Sequence, residues 1–152
     1  MDYMQGVVED FLTSGQGRFI IPECLIKLDE GEPVTGRHWY CDVAAVDLKH
    51  DRVLLCEVTY AKQPRALHKR LRAWADNWAG VRDALKRDYG IPTHWEVLPQ
   101  VFVREECAST VLSRARADIA ASGSSMPEPE IRSLEEAARW RLDSLESLPT
   151  ES

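Results

Sequence analysis

The sequence predicts an α/β protein, a mixed central β-sheet flanked by helices. Three observations predict it. The runs "RHWYCDVAAVDL" and "RVLLCEVTY" are apolar on both faces and separated only by "KHD", so they read as a hairpin of central strands covered by helices on each side. After them Leu67, Leu71, Trp74, Trp78, Val81 and Leu85 recur at steps of four and three, the stripe of one long amphipathic helix from Pro64 to "DYG". Then comes "THWEVLPQVFV", a further strand, so the helix is a crossover and the sheet is mixed.

The remaining elements fit around this frame. Tyr3, Met4, Val7, Val8 and Phe11 fall at helical spacing and predict a first helix over residues 2–14, which "TSGQG" ends. "RFIIPECLIKL" reads as a strand whose proline marks an edge or an irregularity, and "DEGEPVTG" as a turn-rich loop. "REECASTVLSRARADIA" predicts a helix after the fourth strand. "SGSSMPEPE" has the composition of a linker, and Ile131, Leu134, Ala138, Leu142 and Leu145 predict a shorter helix after it. The expected organisation is one α/β domain over 1–121, followed by a linker and acidic helical tail over 122–152. From Ser122 onward that tail holds seven acidic residues against three arginines.

Composition narrows the class. With 152 residues, 44% of them hydrophobic and 29% charged, the chain supports one globular core and hardly two. No apolar run approaches the roughly 20 residues that cross a bilayer, and "MDYMQGVVEDF" lacks the basic-then-apolar order of a secretion signal. A cytoplasmic protein without a membrane partner is the expectation. Cys24, Cys41, Cys56 and Cys107 show no paired metal spacing and read as reduced core thiols.

Two acids stand out, Asp42 and Glu57, each set in an otherwise buried strand. A buried carboxylate costs several kcal/mol unless it is paired or coordinated. If the hairpin closes as drawn, both lie on one side near the open end of adjacent strands. They either share a cation or pair with Lys62, Arg65 or His38.

At these residues the pattern resembles the PD-(D/E)XK nuclease superfamily, whose restriction-endonuclease-like core is a helix, three strands, a helix and a fourth strand; here that covers about residues 2–103. The resemblance matches Asp42 in "YCDVAAVD" to the family's second-strand acid and Glu57 in "CEVTYAK" to its third-strand acid. It implies Mg2+, or Mn2+, held by Asp42, Glu57 and the Val58 carbonyl, with hydrolysis of phosphodiester bonds as the activity. Glu9 would be the auxiliary acid from the first helix, with Asp10 the runner-up. The sequence departs from the pattern where the family's lysine stands: Thr59 occupies that position and Lys62 is the nearest replacement. A protein of this fold that has lost the chemistry and serves as a binding or assembly module is the alternative.

Pro64 to Asp88 carries seven basic residues against three aspartates despite a net charge of −6 overall. Arg65, Lys69 and Arg72 share one helical face and are the expected phosphate contacts, with DNA the expected nucleic acid. Trp74 and Trp78 belong to the core stripe. Trp140, between Arg139 and Arg141, is the aromatic placed to meet a partner, as in a homodimer or a complex with another subunit formed through the C-terminal helix.

Overall fold

The computed structural model describes residues 3–14, 18–29 and 36–146, with side chains described through Trp140. The predicted turn-rich loop lies largely outside the described residues, as does the end of the tail. The elements follow in the order α1 (Tyr3–Thr13), β1 (Arg18–Lys27), β2 (His38–Asp47), β3 (Arg52–Val58), α2 (Arg65–Asp76), α3 (Trp78–Tyr89), β4 (Glu96–Val103), α4 (Ala108–Ser122), β5 (Glu130–Ser133) and α5 (Leu134–Glu146). The five strands form one sheet in sequence order. β1–β2 and β2–β3 are antiparallel, and β3–β4 and β4–β5 are parallel.

The sheet is covered on both faces, as the doubly apolar strands require. Val43, Ala45, Leu54 and Cys56 pack under α1 and α5 with Val7, Val8, Leu12 and Leu134. Ala44, Val53 and Leu55 pack under α2, α3 and α4 with Leu71, Trp74, Val81 and Val111. Each large apolar side chain buried in these layers contributes roughly 1.5–3 kcal/mol relative to exposure. All four cysteines are buried free thiols, three of them in strands. Among the described residues no helix is long and apolar enough to cross a membrane.

Three elements differ from the sequence reading. The long helix is two helices meeting at Asn77, whose backbone leaves the helical region (φ −125°, ψ 24°) and whose side-chain amide donates to the Ala73 carbonyl at 2.8 Å. The Asn77 backbone N–H still reaches the Ala73 carbonyl at 3.1 Å, so the side-chain amide shares that acceptor and the break is one of backbone angle at a single residue. The apolar stripe passes unbroken across the interruption, because Trp74 and Trp78 both reach the same core.

The segment read as a linker runs into β5, which pairs with β4 from Gln100↔Glu130 to Val103↔Ser133. Ile131 therefore lies in a strand, and the tail helix starts at Leu134 with the Ser133 hydroxyl accepting from the Glu136 N–H at 3.1 Å. That is an N-cap bond. Trp140 on α5 is half-buried, and its ring meets Phe11 of α1 edge-on, with centroids 5.5 Å apart.

The hairpin end of the sheet is closed by Asp47. Its carboxylate accepts from Arg18 and Arg52 at 3.2 Å and pairs with the His50 ring at 2.9 Å. Burial pushes this acid up, but the hydrogen bonds from His50, Arg18 and Arg52 outweigh it and hold the carboxyl well below the usual range.

Candidate functional site

At the opposite end of the β2–β3 hairpin the register runs Val43↔Cys56, and one residue further it sets Asp42 across from Glu57. Beside them β1 kinks. Glu23 adopts a left-handed backbone (φ 48°), uncommon for a residue with a Cβ. The alternation of faces slips there: Ile21 and Cys24 on β1, and Cys41 and Ala44 on β2, all reach the core beneath α2 and α3. Asp42 sits within this slip, and the Gln5 amide of α1 braces its backbone carbonyl at 3.2 Å.

Asp42 and Glu57 open together into a cleft of about 280 Å³ between the sheet end and the start of α2, which Val58, Thr59, Arg65 and Arg70 also line. One Asp42 oxygen accepts the Val58 N–H at 2.8 Å. Glu57 is 5% exposed and receives Arg70 on Oε1 at 3.0 Å. The same Arg70 nitrogen donates to the Tyr40 carbonyl at 2.6 Å, so the guanidinium fastens α2 to β2 and β3 at once.

The two carboxyl groups are within hydrogen-bonding reach of each other, and this decides their charge. Burial, the hydrogen bond to Asp42 and Asp42's negative charge push Glu57 up to about 9; Arg70 pulls it down without overcoming them. At neutral pH Glu57 is held protonated, because burial and the neighbouring Asp42 outweigh Arg70.

The structure therefore brings together Asp42, Glu57 and Val58 of the sequence-predicted site residues, with Arg65 at the rim. It does not bring in Glu9. That acid is buried on α1 with Oε1 unpartnered, and burial, then Asp10, raise its pKa, with Glu23 also acting on it; Asp42 and Glu57 are not among the charges it feels. Lys62 is exposed and lines a separate, larger cavity on the far side of Gln63 and Pro64. Lys69 and Arg72 are exposed on α2 and line neither cavity.

The cation beside Glu57 is Arg70, a residue the sequence reading left aside. Its signal was available: position 70 lies three residues after Leu67 and four before Trp74, on the border of the buried stripe, where a long basic side chain reaches inward.

A divalent cation fits this donor set under two conditions. Among the described residues no group of three or more His, Cys, Asp or Glu side chains converges on one point, so the protein offers two carboxylates, with water and substrate oxygens left to complete the shell. Mg2+ is commonly held in that way. Glu57 must also release its proton. Compared with known proteins, the sequence matches no family model and no curated protein.

Proposed function

We propose that the protein is a metal-dependent nuclease that hydrolyses phosphodiester bonds, with Asp42 and Glu57 as the metal-binding acids. One observation carries the reading: two carboxyl groups face each other on neighbouring central strands, in a cleft walled by the basic start of α2. Asp42 accepts the Val58 N–H and Glu57 accepts from Arg70, yet side by side the two carboxyl groups keep Glu57 protonated, a cost that a bound cation would relieve. The order α1, β1, β2, β3, helix, β4 supports the resemblance to the PD-(D/E)XK core.

In this reading Asp42 and Glu57 hold Mg2+ or Mn2+, with the Val58 carbonyl as a third oxygen. The ion would neutralise charge on the attacked phosphate and lower the pKa of a bound water. Arg70, already on Glu57, positions that carboxylate and presents a fixed positive charge toward the cleft, the electrostatic task assigned in the sequence reading to Lys62. Arg65 at the rim contacts the sugar-phosphate backbone without reading bases.

The test is calorimetric titration with Mn2+ at pH 8, where a cation displaces the Glu57 proton more readily than at neutral pH, followed by cleavage assays on plasmid and single-stranded DNA. Wild type binds saturably and cleaves; Asp42→Asn and Glu57→Gln do neither. A second reading, a nuclease-fold module without chemistry, is favoured by Arg70 on Glu57 and by Thr59 in the lysine position. Absence of binding at millimolar Mn2+ would decide for it.

A further inference from the structure

The second cavity, of about 600 Å³, lies between the α2 start and α4 and shares Gln63, Pro64 and Arg65 with the acid-lined cleft. Its walls carry three cations, Lys62, Arg65 and Arg114. Arg65 donates only to the neutral Gln63 amide, and neither Lys62 nor Arg114 has an ion-pair partner among the described residues. The one acid on its wall, Glu106, is drawn toward Arg104 at 3.7 Å. His68 also lines the cavity, and its Nδ1 is buried without a hydrogen-bond partner.

We infer that this cavity binds the sugar-phosphate backbone of a single nucleic-acid strand, holding the nucleotides next to the bond positioned at Asp42 and Glu57. The shape favours a strand over a duplex, since the site is a recess of nucleotide size between two helices and not a broad face. The chemistry favours phosphate over base: apart from the His68 imidazole no aromatic ring lines it, so stacking is not the mode of capture. Continuity with the acid-lined cleft through Arg65 gives one track from the cations to the carboxyl pair.

The inference rests on the nuclease reading for its substrate but is tested without metal. A fluorescent short oligothymidylate is titrated in EDTA against wild type, Arg114→Glu, Lys62→Ala, and Lys86→Glu as a control on exposed α3. Arg114→Glu should weaken binding roughly tenfold and reduce the salt slope by about one. Lys62→Ala should weaken it less, and Lys86→Glu should leave it unchanged. The His68 imidazole signals should shift on binding in wild type and stay still in Arg114→Glu. Equal binding by Arg114→Glu and wild type, or displacement of the strand by equimolar inorganic phosphate, overturns the proposal. Failure to bind Mn2+ sinks the nuclease reading alone, because strand capture in EDTA does not depend on it. Arg114 and Lys62 are exposed, so both variants should fold, and their melting curves check this.

Discussion

Glu57→Gln isolates the proton held on Glu57. Glutamine keeps the shape, accepts from Arg70 through its carbonyl and donates to Asp42 through its amide, so the contacts survive while the titration disappears. The sign follows from the raised pKa of wild-type Glu57. The unfolded chain releases this proton near 4.5 and the folded protein holds it to about 9. Between those values the native state binds more protons, so wild-type stability falls as pH rises, by about 1.4 kcal/mol per pH unit from this one group. Other titrating groups act on both proteins alike and cancel in the difference. Urea denaturation in EDTA at pH 6 and pH 8 should therefore show the variant gaining roughly 3 kcal/mol on wild type over those two units. Mn2+ added at pH 8 should recover stability in wild type only, because the cation replaces the proton. A stability difference between the two proteins that is the same at both pH values refutes the proton on Glu57, and with it the need of the pair for a cation.

Arg70→Ala removes the positive charge beside Glu57 and leaves the Tyr40 carbonyl without its donor. It should tighten Mn2+ binding and abolish cleavage; weaker Mn2+ binding would show that Arg70 acts only by holding Glu57 in place. Asp47→Asn keeps the shape but loses the charge that three side chains meet, and should cost about 3 kcal/mol at pH 7 by urea denaturation. Because the folded pKa of Asp47 lies below its ordinary 3.8, wild type should lose this advantage as pH falls through and below that value; a cost unchanged at pH 3 would count against the cluster. Trp140→Ala should lower stability by about 3 kcal/mol through loss of its packing on α1, with no rise in the concentration dependence of the melt. A melt that becomes concentration-dependent would return Trp140 to a partner interface.

The sheet was legible because its code is local. A strand apolar on both faces, as in "CDVAAVDL", has one stable place, the middle of a covered sheet, and the short turn after it fixes its neighbour. β5 was not legible. Only Ile131 and its neighbours pair with β4, four residues cannot show a period, and the Ser-Gly-Pro composition before them reads as linker whether or not the chain returns to the sheet. The break at Asn77 was hidden for the opposite reason. The hydrophobic stripe continues through it, and periodicity records which face is buried, not whether every hydrogen bond is made.

The site divides along the same line. That Asp42 and Glu57 share one side of the hairpin was legible from alternation, but the exact register was not: a turn of "KHD" alone would set Asp42 across from Val58, whereas the strands close one residue earlier, at Asp47↔Arg52. What stands over them is set by where α2 crosses the sheet, and no count along the chain gives that. Lys62 is five residues from Glu57 in sequence yet lies beyond the Gln63–Pro64 corner, in the other cavity. Arg70, thirteen residues away, reaches Glu57 because three turns of helix fold back over the strand. A cation chosen by nearness in the chain and one chosen by nearness in space are therefore different residues. The distinction carries functional weight, since it divides the basic side chains into one that meets the acid pair and two, Lys62 and Arg114, that stand ready for phosphate beside it.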